Sequence, residues 1–496
     1  MLSKLKNHSW EICFFLAVFV SMFVFFTGAH RLVIYDGDDW VNLSQMRHFI
    51  PMWHGFNPIK ILPETLMPLV GYISGYVITP FTGNYVNSVT LVSALLVSGF
   101  ITLYIYLFSR LIGTFSDNHR CRNAIVCGIV LLMHFWIFKQ NGGLSSYLFW
   151  SGNLTCYYHY LIPALVNISL ILYFFHHEMD KADVWSKSAV RNSLFIVVLY
   201  FAIFSNILQN IILAAFLGAL LLEKEGKKLF FPRQWKRIFK ENRLYGSILI
   251  IWLISLFFEA SGGRAKSIAT AGFVSPVLET LKFFGRSFHQ VNLAFLVLSM
   301  LVIFFAFYKA YLQKSAYGNV VLRAIRISFI SMIIASIYLV LVCSKASPGY
   351  ISRSDVEIGI FFWYILIFGI SLAYFLHEHP KWVLLAPLVT IFILVEVING
   401  RSTFRESNMP GVSPSICYAV DMDILNQIQS ADQSERNELE LHVPKGDNRD
   451  NWPHPNYMGR NISQTLYRDG LISRPLKITI VPDTDMNKKY HLPIQK

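Results

Sequence analysis

The chain has 496 residues, 54% of them hydrophobic and 15% charged. A soluble protein carries nearer one quarter charged residues, so a soluble globular enzyme is excluded, and continuous rather than alternating apolar runs exclude a β-barrel. The net charge of +13 would suit nucleic acid, but residues 401–496 hold 12 Lys+Arg against 12 Asp+Glu, so the basic excess belongs to the apolar part, where it can set membrane topology.

Lys4 and Lys6 precede an uncharged run, 12–29, that is long for a signal peptide and reads as an anchor that stays in the chain. Further spans are predicted near 86–108, 123–138, 157–175, 192–206, 207–222, 244–260, 292–308, 327–343, 358–376 and 383–399, eleven in all. The fold class is therefore an all-α polytopic membrane protein. With the N-terminus inside, inner segments outnumber outer loops in Lys+Arg by about two to one, which puts the N-terminus in the cytoplasm and the tail outside. Leu66–Phe81 is apolar but broken by Pro68, Gly71 and Gly75, and reads as either a re-entrant hairpin or a true span. Asn192–Leu222 is too long for one straight crossing. It reads as two short helices meeting at Ser205-Asn206 and Gln209-Asn210, with those amides facing a water-filled cavity.

The loops on the outer side hold most of the chemistry. Tyr35-Asp36-Gly37-Asp38-Asp39-Trp40 places three carboxylates just beyond the first span. Anionic groups at that depth must be paired, hydrated or used. Mutual repulsion raises the pKa of one of them, which suits a general base or, through the Asp36–Asp38 spacing, a seat for Mg²⁺ or Mn²⁺. The plain alternative is a solvated loop with Asp39 as the cap of the next helix. Trp40, Leu43, Met46 and Ile50 recur at helical spacing up to Pro51, as a short helix on the membrane surface or packed on the bundle. Val277, Leu281, Phe284 and Phe288 repeat that pattern. Lys139–Tyr160 is rich in Gly, Ser, Asn and aromatics. It suits either a polar cavity in which Trp150, Tyr157, Tyr158 and His159 contact sugar, or an interfacial aromatic belt. Charge, Pro and Asn rise after Gly400, so 1–400 reads as the transmembrane domain, with an acidic loop over 31–65, and 401–496 as a separate outer region. Trp452, Tyr467 and Arg468 are that region's candidate carbohydrate contacts, or simply surface residues of a small α+β domain. Six cysteines show neither CxxC nor metal spacing and read as free thiols, and no Walker loop, dinucleotide glycine motif or HExxH is present.

An acidic motif after the first span, helices beside it and a long outer tail together resemble the type-C glycosyltransferases, which use polyprenyl-phosphate sugars. Within that superfamily the chain most resembles the serotype-converting O-antigen glucosyltransferases of enteric bacteria and their temperate phages. Asp36-Gly37-Asp38-Asp39-Trp40 matches the acidic motif. Asn57-Pro58 with Leu62-Pro63-Glu64, Gly349-Tyr350-Ile351-Ser352-Arg353 and Thr465-Leu466-Tyr467-Arg468-Asp469-Gly470 resemble later motifs of that family. The resemblance implies transfer of glucose from undecaprenyl-phosphate glucose to O-antigen units of lipopolysaccharide, on the periplasmic side of the inner membrane, with no nucleic acid involved. It implies an Asp as general base, with Asp38 first because it sits two before Trp40, then Asp39 and Asp36. It implies Arg353 at the lipid phosphate, Glu64 and Trp40 beside the substrates, and membrane lipids around the donor chain; no metal ligand is assigned, because the superfamily does not use a metal uniformly. The alternatives are a carrier or flippase for lipid-linked sugars, and an O-antigen polymerase. The first is disfavoured because Glu259 and Glu396 lie at span ends, the second because polymerases place their large loop between spans.

Overall fold

The computed structural model describes residues 2–44, 59–117, 119–139, 145–261, 272, 274–408, 411–446 and 458–492. The chain is an all-α membrane protein: ten of its described helices are long and apolar enough to cross a bilayer. In chain order the helices are α1 (Leu2–Val24), α2 (Gly37–Asn42), α3 (Ile61–Thr82), α4 (Tyr85–Gly113), α5 (Arg120–Trp136) and α6 (Leu154–Met179). There follow α7 (Ala189–Ile203), α8 (Ile207–Glu225), α9 (Pro232–Glu241), α10 (Arg243–Ser261), α11 (Val274–His289) and α12 (Leu293–Gln313), and then α13 (Ala316–Ala346), α14 (Ser354–Glu378) and α15 (Ala386–Gly400). The tail adds α16 (Pro414–Gln433), β1 (Glu438–Pro444), α17 (Gly459–Arg468), β2 (Lys477–Asp483) and α18 (Thr484–Lys489).

Contacts between helix ends sort the bundle into two ends. At one end, Thr90 of α4 donates to the Leu32 carbonyl, Asn292 before α12 donates to the Ile137 carbonyl after α5, and Gln209 of α8 reaches the Asp355 carbonyl of α14. At the other, Arg323 of α13 bridges Glu178 of α6 (2.8 Å) and Glu223 of α8 (3.0 Å), with Lys224 and Arg326 completing the network. Helices α1, α4, α5, α6, α7, α8, α10, α12, α13, α14 and α15 run alternately between these ends; nine of them are among the ten helices long and apolar enough to cross, and the tenth, α3, was not one of the eleven predicted spans. Helices α5 and α7, 17 and 15 residues long, are not among those ten.

Helix α3 is long enough to cross but does not carry the chain across. Ser44 before it and Tyr85 after it lie at the same end, where Trp40 stacks on Tyr85 (6.4 Å between centroids) and Ser44 meets Thr465 (2.9 Å). It is one helix with a π turn at Ile73–Ile78, so the described part is not itself a hairpin. The predicted break in 192–222 is present between α7 and α8. Its amides do not face water, however. Asn206 donates to the His159 carbonyl, Asn210 to the Ile203 carbonyl and Gln209 to that of Asp355, and all three are buried. A tip packed inside protein must satisfy its polar groups on backbone oxygens.

The tail is a small α/β unit in which β1 and β2 pair in parallel from Glu438↔Lys477 to Pro444↔Asp483. Parallel pairing needs a crossover, and α17 lies in it. Gly459 lets α17 approach β2 closely, since a Cβ there would sit 2.1 Å from the Ile478 carbonyl oxygen. Helix α17 then docks on the bundle. Thr465 Oγ1 donates to the Trp40 carbonyl (2.6 Å), Arg468 Nη1 to that of Ser44 (2.9 Å), and Tyr85 to Asp469 (2.5 Å). Gly71 and Gly75 of α3 make room for this contact.

Candidate active site

Helix α2 is built by its own carboxylates. Asp36 is in an extended conformation and is the N-cap. Its Oδ1 accepts from Asp38 N (2.9 Å) and Asp39 N (3.3 Å), while Asp39, at the third helical position, reaches back to Asp36 N (3.4 Å) in a capping box. The cap is therefore Asp36, and the expectation that Asp39 caps this helix is corrected. Asp39 does more than close the box: Oδ2 also accepts from Tyr35 N (2.8 Å) and Oδ1 from Thr155 N (2.6 Å). Asn153 Nδ2 donates to Asp36 Oδ2 (2.8 Å). The start of α6 thus grips both acids.

The same stretch grips Arg353, since Arg353 Nη2 donates to Cys156 Sγ at 3.3 Å. Arg353 also holds Asp355 through Nε (3.0 Å) and Nη2 (2.7 Å), and its guanidinium lies over the rings of Tyr160 (4.6 Å) and Tyr350 (5.4 Å). The edge expected to grip a lipid phosphate bidentately is taken by Asp355, which is fully buried. Nη1 is the face left for a ligand.

Of the three carboxylates only Asp38 is exposed. Burial, with repulsion from Asp39 and Asp38, holds the Asp36 carboxyl well above the usual range. Burial also pushes Asp39 up to about 6, less than it would without the Thr155 and Tyr35 donors. Asp421 of α16 is buried near Asp39 and is raised by desolvation and by that charge. Asp36 and Asp39 therefore serve as scaffold, with Asp38 carried outward at the start of the helix. Three N–H donors already sit on the two Asp36 oxygens, Asp38 N and Asp39 N at Oδ1 and Asn153 Nδ2 at Oδ2. Among the described residues no group of three or more His, Cys, Asp or Glu side chains is placed to hold a metal.

The aromatic residues expected to stack on sugar are packed inside instead. Trp40, Tyr157 and Tyr158 are fully buried, and Trp150 nearly so, with its indole N–H on the Glu406 carbonyl (2.7 Å). Tyr157 meets Ser407 (2.9 Å) and Tyr158 donates to Ser93 (2.9 Å), while His159 lies buried at the tip between α7 and α8. Composition reports aromaticity, not exposure, and these rings fill the space between α6, α1 and the start of the tail. Trp40 and Leu43 are likewise core residues under α17, not a membrane-surface stripe; Met46 and Ile50 lie outside the described residues, as do Asn57, Pro58 and Trp452. On α11, Val277 and Phe284 are half-buried, while Leu281 and Phe288 are exposed. Glu64 sits half-buried in the first turn of α3. Tyr467 is half exposed on α17, and Arg468 is a docking residue rather than a free sugar contact.

The structure thus brings together the acidic motif, the start of α6, Arg353 and the tail motif 465–470. Asn153, Thr155, Cys156, Asp355 and Asp421 were missed. Asn153 carried a signal as a helix-cap residue before an apolar run, and Asp355 as an acid in the first turn of a span. The others had none. Comparison with known proteins finds no matching family model, curated relative or solved structure.

Proposed function

We propose that the chain is an inner-membrane glycosyltransferase that moves a glucosyl residue from undecaprenyl-phosphate glucose to O-antigen units of lipopolysaccharide. The observation that carries the reading is a single exposed carboxylate, Asp38, held on a rigid capping box and tied through residues 153–156 to a guanidinium, Arg353, at the same end of the bundle. In this reaction Asp38 takes the proton of an acceptor hydroxyl as its oxygen bonds to the anomeric carbon. The bond from that carbon to the phosphate oxygen breaks, and the lipid phosphate leaves with the electron pair. Arg353 Nη1 steadies the leaving charge while Asp355 and the two tyrosine rings fix the guanidinium plane.

The orientation that fits is cytoplasmic for the far end, which carries the Glu178–Arg323 network and the basic α9, and periplasmic for Asp38 and the tail. The test is the mass of lipopolysaccharide repeat units from cells with and without the chain. A gain of one hexose per repeat is the expected result. Unchanged repeats in chains of altered length would point to a polymerase instead, and unchanged lipopolysaccharide to a carrier.

A further inference from the structure

A second built feature reaches from Leu62, at the start of α3, to the end of the bundle away from Asp38. Helices α4, α6 and α7 enclose a groove of about 450 Å³ lined by Phe100, Leu103, Leu170, Leu194, Phe195 and Val198. It runs into a polar pocket of about 380 Å³ at the far ends of the same helices, and the two share Leu107, Tyr173 and Arg191. The polar pocket presents Arg110, Arg191, His176 and His177. Both guanidiniums are exposed, and neither has an ion-pair partner among the described residues. The nearby acid, Asp180, is drawn to His176 (3.5 Å) and to Thr114 (3.1 Å). Two unpaired cations capping a long apolar groove match a phosphate carrying a hydrocarbon chain.

We propose that this groove binds an anionic glycerophospholipid of the leaflet at the far end, with its phosphate between Arg110 and Arg191 and an acyl chain along α4, α6 and α7. The reacting donor does not fit here. Helix α4 has 29 residues, about 43 Å at 1.5 Å each, which exceeds the ~30 Å hydrocarbon core. Arg110 lies in its last turn, whereas Trp40, beside Asp38, stacks at its first residue, Tyr85. A phosphate at Arg110 therefore sits by the opposite leaflet from the acidic site. The inference stands on the groove and does not depend on the transferase reading.

The experiment is native mass spectrometry of the full chain, purified in detergent and offered dioleoylphosphatidylglycerol against dioleoylphosphatidylcholine. The parent is expected to retain the anionic lipid preferentially, and Arg110→Gln with Arg191→Gln to lose that preference at least about tenfold. Both side chains are exposed, so melting of the lipid-stripped variant should match the parent. Leu194→Trp, which fills the groove and leaves both cations in place, should weaken the same lipid. The proposal is overturned by equal retention in parent and double variant, by phosphatidylglycerol binding untouched in Leu194→Trp, or by displacement with inorganic phosphate alone, which would make the site a headgroup patch. It is also overturned if undecaprenyl phosphate outcompetes phosphatidylglycerol, which would make the groove a carrier-lipid site.

Discussion

Gly75→Ala changes one atom, far from any reacting group, yet should disable the protein. A Cβ on Gly75 would stand 2.2 Å from the Asp469 carbonyl oxygen and 3.0 Å from its carbonyl carbon. The contact is backbone on backbone, so no side chain can swing away, and α3 and the end of α17 must part by roughly 1 Å to reach ordinary van der Waals separation. Hydrogen bonds do not survive such a shift, and those at risk are Tyr85 to Asp469, Tyr76 to the Arg468 carbonyl, Arg468 to the Ser44 carbonyl and Thr465 to the Trp40 carbonyl. At ~0.5–1.5 kcal/mol each, their loss costs about 2–6 kcal/mol of tail docking. Alanine repays at most ~1 kcal/mol through helix propensity, so the clash wins. The assay is limited proteolysis of the tail in membranes, read beside sugar transfer. Faster cleavage with reduced transfer is expected, because α17 covers the helix that carries Asp38. Gly99→Ala on α4, where nothing lies within 4 Å of the added carbon, is the control and should be silent. A Gly75→Ala protein with parental protection and parental activity would refute the docking argument.

Other outcomes follow from the same geometry. Asp39→Asn should lower the melting temperature: Thr155 N and Tyr35 N bond opposite oxygens of Asp39, so either amide orientation sets an NH₂ against one of them and orphans a buried donor, at about 1–3 kcal/mol. Thermal unfolding of the purified variant checks this, and a parental melting point would show the hub to be dispensable. Arg353→Lys should lower both turnover and stability, because lysine cannot keep the two bonds to buried Asp355; unchanged transfer and melting would remove Arg353 from the site. Burial pushes Asp469 up to about 7, partly offset by the Tyr85 hydroxyl and Arg468. A raised folded pKa means the stability Asp469 contributes is complete below its unfolded value near ~4 and is lost as pH rises to about 7. Tail protection should therefore fall between about pH 4 and 7, and Asp469→Asn should flatten that fall.

The apolar runs were legible because length and continuity alone decide them; the multi-pass helical architecture and the break between α7 and α8 came from that signal. The acidic motif was legible as a site, and the motifs at 349–353 and 465–470 do meet it or its supporting helix. What was not legible was which atoms face which. Asp36 read as a free acid and Asp39 as either a base or a helix cap, yet each is held by N–H donors, two of them from 153 and 155. Arg353 read as a free cation because its partner, two residues on, looks in sequence like an ordinary helix-start acid. Tyr157, Tyr158 and Trp150 read as a sugar platform because aromatic composition is the same on a wet surface and in a dry core. Tyr85 and Asp469 are 384 positions apart, a separation across which no local pattern carries information.

Asp38→Asn tests the central claim most directly. The substitution keeps size on an exposed residue whose side chain builds none of the capping box, so the protein should insert and melt as the parent does. The measurement is the hexose content of lipopolysaccharide repeat units at matched protein abundance in membranes. Removing a general base lowers rate by about 10²–10⁴-fold, so the account predicts loss of the added hexose. Full hexose addition by Asp38→Asn would contradict it.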